Sequence, residues 1–448
     1  EGDPMVLGEH YARGQDAARA GRHYARAAEQ AHVTGDASAV IALAEKALEQ
    51  ELAAPARAMM LALIAEEHGW RSDFRRAFEV SEEVRRLSAP GSLQWATAVA
   101  PGLFGARVTG QRDAANALLE QLCEVRPEPS AFAKVAFGMQ TGSYWCTLDA
   151  QVELGARLVE RQRELVEPLA SEEPLAYGWN CVTRSLFNSI ADEGPASARS
   201  FGATGREVFQ ALGHRRGELA AEVFIGKALF LLGQMEEAEQ TLRRTFVAGV
   251  AYGPIEMDRI PWFIEVLLAR GAVEEAERAA QEALGPLARR HEIEVVYEGA
   301  LRAGYANVLC QQGELERAEG EARAACELLG LLNGPRLWGL ATLGAIVLRR
   351  GGAGGAEEAE EALRLADEVL AAHEALRFFG PSLGRAWLLR AEALRALGDS
   401  GGSRAALVAG RGALMSRATR IGDEGLRRGF LRGVPDHARL LDLAEAAG

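Results

Sequence analysis

The chain has 448 residues, and its 50 Lys+Arg stand against 63 Asp+Glu for a formal net charge of −13 and a pI near 5.3. Such a field repels a phosphate backbone and speaks against nucleic acid as a partner. The length exceeds the roughly 250–300 residues at which one hydrophobic core stops growing, and only 6% of residues are aromatic. With no stretch alternating Val, Ile and Thr at period two, an elongated stack of helices is expected and strands are not.

The chain opens on Glu1 with no signal-peptide pattern behind it, which predicts a piece cut from a longer cytoplasmic protein. Its first helical segment carries Leu7, Gly8 and Tyr11. Its second follows a turn near Gln15 and carries Ala20, Ala27 and Ala28. Further turns are expected near Gly35, Ser72, Gly110, Asp149, Gly194, Gly233, Gly271, Gly313, Gly351 and Gly398. Most intervals run near 40: 72 to 110 is 38, 233 to 271 is 38, 271 to 313 is 42 and 313 to 351 is 38.

The phrase "GAVEEAERAAQEAL" at 271–284 returns as "GELERAEGEARAAC" at 313–326. Counting from the turn, Ala276 and Ala318 fall at offset five, with Ala283 and Ala325 at offset twelve. Gly233 gives Ala238 and Ser72 gives Ala77 in the same phase. The two offsets differ by seven, two helical turns, so the small residues form one stripe where a neighbouring helix approaches closely. The Gly ends the first helix, and the Glu or Asp after it favours the positive end of the second. Each unit therefore reads as a helical hairpin that buries its apolar face against the next one. The fold class that follows is all-α, an α-solenoid forming a right-handed superhelix of about nine or ten hairpins. Residues 1–126 form its N-terminal hairpins, 127–213 an irregular middle, 214–416 regular hairpins of about 40 residues, and 417–448 capping helices closed by Phe430, Leu431 and Val434.

The opening "PMVLGEHYARGQDAARAGRHYARAAEQA" (4–31) resembles a tetratricopeptide repeat through Leu7, Gly8, Tyr11, Ala20 and Ala27, and Trp387 and Ala391 take the matching places before Gly398. Units near 40 exceed the standard length of about 34, as in the repeats of large bacterial transcriptional activators, and the units between Pro127 and Gly213 match poorly. The two ends, including "LRRGFLRGVPDHARLLDLAEAAG" (426–448), resemble the repeat tails of bacterial signalling proteins that join a kinase or cyclase to a STAND-type regulatory ATPase. That resemblance implies a sensor region serving an upstream effector domain.

The chemistry-bearing patterns are missing. No G-x-x-x-x-G-K-[ST] run cradles a phosphate, and "RRGGAGGAEEAEE" (349–361) lacks both Lys and a preceding strand. The eight histidines, His10, His23, His32, His68, His214, His291, His373 and His437, never come closer than nine residues, which excludes a zinc-protease helix. No G-x-S-x-G elbow occurs. Glu357, Glu358, Glu360 and Glu361 beside Ala359, Ala362 and Leu363 read as a solvated helix face. The five cysteines, without a C-x-x-C pair, read as reduced structural thiols. Neither catalysis nor a metal nor a cofactor is expected, and no apolar run approaches the roughly 20 residues that cross a bilayer.

A surface remains. Predicted first helices carry Trp145, Tyr177, Trp179, Asn180, Arg184, Arg259, Trp262, Arg302, Tyr305, Arg336 and Trp338, the residue types enriched at binding hot spots. They form the candidate partner-binding groove. The expected role is a non-catalytic interaction and sensor module that binds a protein or peptide there, with an upstream domain of the same protein as a further expected partner. Two alternatives are a small-molecule receptor of the transcriptional-activator type, with its pocket in 127–213 around Trp145, Tyr177 and Trp179, and the recognition domain of an innate-immune sensor.

Overall fold

The computed structural model describes residues 2–190, 194–246, 256–287, 295–330, 332–352, 354–377 and 380–447. The described residues form 23 α-helices and no strand. The expected all-α solenoid is found, and the reason lies in a repeated turn.

At each expected position the chain takes a left-handed residue: Gln15, Gly35, Ser72, Gly110, Gly194, Gly233, Gly271, Gly313 and Gly398, with a shift of one residue to Ala150 and Gly352. The amide after it reaches back to the helix it has just left, as from Asp16 to the Tyr11 carbonyl (3.0 Å), from Asp73 to His68 (2.9 Å) and from Asp399 to Leu394 (2.9 Å). This closure satisfies the last carbonyls of the first helix. The same following residue caps the second helix. Where it is Asp, its carboxylate accepts from the amides of Arg19, Ala39 and Gly402 at 2.7–3.0 Å and from that of Arg76 at 3.4 Å. Three further left-handed residues, Gly91, Gly213 and Arg377, were not foreseen.

The small-residue stripe is buried. Ala20, Ala77, Ala238, Ala276, Ala318 and Ala325 show no exposed surface, while Ala283 is half-buried. The described residues divide into two compact units that interleave in sequence, one built from 2–142 and 160–180, the other from 143–159 and from the described residues between 181 and 447.

The first unit contains α1 (Pro4–Arg13), α2 (Ala17–Thr34), α3 (Ala37–Leu48), α4 (Ala54–Trp70), α5 (Phe74–Leu87), α6 (Leu93–Val108) and α7 (Arg112–Glu124), and takes parts of α8 (Phe132–Leu148), α9 (Val152–Val166) and α10 (Pro174–Asn188). Helix α5 packs on both α4 and α6, and α4 also touches α6, so first helices form one layer and second helices another. The core joins Tyr24, Val40, Leu43, Met60, Ile64 and Val80. An aromatic series on the first helices runs from Trp70 to Phe137 (centroids 5.6 Å apart) to Trp179 (4.6 Å).

The second unit continues with α11 (Gly194–Ala211), α12 (Arg215–Leu231), α13 (Met235–Arg243), α14 (Glu256–Ala269), α15 (Val273–Leu287), α16 (Val295–Gln312), α17 (Leu315–Leu328), α18 (Asn333–Gly351), α19 (Ala356–Leu376), α20 (Ser382–Ala396), α21 (Ser400–Ala418), α22 (Glu424–Arg432) and α23 (Pro435–Ala447). First helices touch in series, α12 to α14 to α16 to α18 to α20, and α21 and α20 both carry α23. Helix α12 is buried without a break from Leu219 to Phe230, whereas α13 and α15 expose acidic faces. Two contacts tie distant parts of this unit together. The Asn333 side chain donates to the Asp149 carbonyl at 2.9 Å beside a cluster holding Ala150, Ile190, Leu337 and Leu340. At the other end Phe430 and Leu441 share a cluster with Leu232, Leu388 and Leu414.

Candidate functional site

The repeat period brings polar residues of successive first helices side by side. Glu265 on α14 and Asn307 on α16 are 42 residues apart, and the Asn307 amide donates to the Glu265 carboxylate at 2.8 Å. Thr342 on α18 and Arg385 on α20 are 43 apart, and the Arg385 Nη1 donates to the Thr342 hydroxyl at 3.0 Å. Arg385 also donates its Nε to the Asp436 Oδ2 at 2.8 Å, and its guanidinium lies over the Trp338 ring, 4.1 Å from the centroid. The Trp338 indole hydrogen-bonds to Glu265.

Glu265, Asn307, Trp338, Arg385 and Asp436 line a cavity of about 340 Å³. Its apolar lining includes Phe230, Leu268 and Leu414 together with Phe430 and Val434 of the C-terminal helix pair, which also brings His437 to the cavity. The His437 Nδ1 donates to the Phe430 carbonyl at 2.8 Å, since a carbonyl can only accept. Glu265 is only 8% exposed, and burial pushes its pKa above the ordinary carboxylate value. The Arg385 charge and the Asn307 hydrogen bond work against that shift. Burial acts to lower the pKa of Arg385, but Asp436 and Glu265 outweigh it, so the guanidinium stays charged. Burial pushes the His437 pKa below its usual value. The cavity thus combines fixed, charged, hydrogen-bonded groups with an apolar lining, a combination suited to holding an amphipathic group in one orientation.

Among the sequence-derived candidates Trp338 lines this cavity. Trp262 lies half-buried one turn from Glu265, its ring tilted against Phe230 (centroids 5.5 Å apart) with the Lys227 ammonium 5.2 Å from its centroid. Lys227 is itself buried, which lowers its pKa, while burial raises that of Asp258, the carboxylate bonded to the Trp262 indole. Arg336 pairs with Glu368 at 2.7 Å, and Arg302 with Glu298 and Glu321 at 2.8 and 2.6 Å. Tyr305 is 7% exposed, and its hydroxyl accepts from Gln281 and Arg317. Arg259 is buried, donating to the Thr245 carbonyl at 2.9 Å and lying over Phe246. Arg184 lies 3.7 Å above the Phe201 ring.

Trp145 and Asn180 are 1% exposed and Trp179 4%, so their side chains are interior; Tyr177 is half-buried. Both polar atoms of the Asn180 amide are buried with no hydrogen-bond partner among the described residues. Among the described residues of the segment 127–213, only Ser189 and Pro195 reach the cavity. Glu265, Asn307, Arg385 and Asp436 were missed from sequence. One signal for Glu265 was present: it is the single charged residue in "IPWFIEVLLA" (260–269), a run otherwise apolar.

No family model and no curated protein matches the chain. Among solved structures it is similar to a Rap protein complexed with competence and sporulation factor (11% identity, 79% of this chain and 97% of that one covered, TM-score 0.49). It is also similar to yeast Tom70 (11% identity, 99% and 94% covered, TM-score 0.40) and to the Cut9–Hcn1 hetero-tetramer of APC/C (13% identity, 99% and 98% covered, TM-score 0.34). The helical-repeat architecture itself rests on the turns and stripes described above.

Among the described residues no group of three or more His, Cys, Asp and Glu side chains converges to hold a metal ion, and His291 lies outside them. No helix among them is long and apolar enough to cross a membrane.

Proposed function

We propose that the chain is a non-catalytic interaction and sensor module of a larger bacterial signalling protein, of the kind that joins repeats to a STAND-type ATPase. It acts in the cytoplasm, binds a peptide segment of a partner protein on the inner face of the regular hairpins at 214–416, and reports to an upstream effector domain. One observation carries the reading: four successive first helices place Glu265, Asn307, Trp338 and Arg385 around a single cavity. A spacing set by the repeat has produced a polar constellation, which stacking alone does not require. The C-terminal pair α22–α23 lines the same cavity through Phe430, Asp436 and His437. An occupant touches both the first helices and this pair, so its binding energy can shift one relative to the other, the condition for reporting occupancy.

Mixing the purified chain with a peptide array tests this reading. Peptides are expected to bind the native chain and to lose about tenfold or more affinity on Trp338→Ala, whereas Arg302→Ala, whose cation is held by two glutamates, leaves affinity unchanged. Steady hydrolysis of ATP or protein phosphorylation by the chain alone overturns the non-catalytic assignment.

A second reading, a small-molecule receptor, is favoured by the cavity's volume: about 340 Å³ sits at the lower end of the range for small ligands, roughly 300–1,000 Å³. Thermal shifts against sugars, nucleotides and free amino acids separate the two. A saturable rise in melting temperature with one of these, lost in Trp338→Ala, moves the assignment to the receptor.

A further inference from the structure

Beside this cavity an open groove of about 840 Å³ runs along α16, α18, α20 and α23, sharing Asn307, Cys310, Arg385 and Asp436 with it. The charged side chains lining the groove are Arg349, Arg385, Arg395 and Arg439 against Glu392 and Asp436. Four cations less two anions leave a surplus of two positive charges, in a protein whose total is −13. Two of the arginines are neutralised, Arg385 by Asp436 at 2.8 Å and Arg439 by Glu392 at 2.6 Å. Arg349 is exposed and donates its Nη1 to the Cys310 carbonyl at 2.7 Å, and Arg395 is exposed. Among the described residues neither has a carboxylate partner, while elsewhere the helix faces are laced with Arg–Glu pairs such as Arg243 with Glu239 and Glu275. Both sit in the last turn of their helices, where the backbone carries about half a negative charge per helix. Two such poles offset only about one of the two cations.

We propose that this groove takes an acidic stretch of polypeptide, with Asp or Glu side chains on Arg349 and Arg395 and a neighbouring apolar side chain in the cavity against Trp338, Phe430 and Leu268. The inference rests on the peptide reading above and specifies its chemistry. Planar guanidinium groups pair with carboxylates through two parallel hydrogen bonds, which gives direction as well as charge. The continuity of groove and cavity favours an extended chain over a compact anion: the cations lie on α18 and α20, and the apolar slot opens beyond Arg385. The surrounding negative field disfavours any long polyanion while leaving room for a short acidic segment.

The test is to pan a random 12-residue peptide display library on the full chain at moderate salt, then to titrate an enriched peptide by fluorescence anisotropy. Enrichment of sequences with at least two acidic residues beside Leu, Ile, Phe or Trp is expected. Affinity should fall about tenfold or more in Arg349→Glu/Arg395→Glu, return in large part in Arg349→Lys/Arg395→Lys, and weaken steadily with added salt. Both residues are exposed at helix ends, so circular dichroism should show the charge-reversed chain as helical as the original. Enrichment of neutral or basic peptides overturns this inference and leaves the peptide reading standing. An acidic peptide whose affinity survives the charge reversal overturns the placement at this groove. Failure to enrich any peptide overturns the peptide reading and this inference together.

Discussion

Three of the left-handed turn positions are filled by residues with a side chain: Gln15 at φ 62°, Ser72 at 61° and Ala150 at 56°. An L-residue there costs roughly 1–2 kcal/mol, while a glycine loses about 0.5–1 kcal/mol of extra chain entropy on folding. The difference favours glycine slightly. Ser72→Gly is therefore expected to raise stability by about 0.5–1 kcal/mol, seen as a higher urea midpoint at unchanged slope, and a lower midpoint contradicts the turn argument. The alanine stripe permits no such improvement. Ala318 has no exposed surface, so Ala318→Leu must separate α17 from its neighbours and should cost about 1–3 kcal/mol or more by the same measurement. Both positions were legible in the sequence because phase from the turn fixes what a residue touches within its own hairpin. Asn307 was not, since its partner Glu265 lies one full repeat away and no local pattern marks the pair.

At the level of helices, second helices are the most readable elements, being amphipathic and capped by a fixed rule. Asp399 accepts from the Gly402 amide at 2.7 Å, and Asp399→Ala is expected to cost about 1 kcal/mol, read from the unfolding midpoint. The acidic run at Glu357–Glu361 shows where such reading stops. The sequence indicates a solvated face, yet Glu358 pairs with Arg350 at 3.3 Å and Glu361 with Arg323 at 2.8 Å, which rungs α19 to α18 and to α17. Exposed pairs of this kind contribute only about 0–1 kcal/mol each. Arg323→Ala should change stability by less than that, and the change should vanish in high salt; a loss that persists there would mean the rungs set the stacking. First helices were harder to read, because burial on nearly every face erases the apolar–polar contrast that fixes orientation. This is why the middle segment resisted division into units, although α8 and α10 are ordinary first helices once Ala150 is recognised as the turn.

Across the whole molecule, the element least predictable from its own residues is the C-terminal pair, which was expected to close only the last hairpin. In its unit it also meets the α12–α13 turn, about two hundred residues earlier in the chain. There the backbones approach so closely that a Cβ at Gly429 would stand 2.5 Å from the Leu232 carbonyl, and one at Gly233 would stand 2.1 Å from that of Gly429. Gly429→Val should therefore push α22 off the turn while leaving the hairpins folded, with limited proteolysis opening first between α21 and α23. A second handle on the same contact is pH. Burial holds the pKa of His437 below its usual value, so the native state resists protonating it. The group's contribution to stability is complete above the unfolded histidine pKa of about 6.5 and is lost as pH falls from there towards the depressed folded value. Replacing it with Asn, whose amide can keep the bond to the Phe430 carbonyl, removes that titration. Amide protection factors in α22–α23, which remove the intrinsic slowing of exchange in acid, are then expected to fall between pH 7 and 5 in the native chain but much less in His437→Asn. An equal fall in both would place the acid-sensitive group elsewhere, and would separate the pair's attachment from the ionisation of the buried histidine on α23.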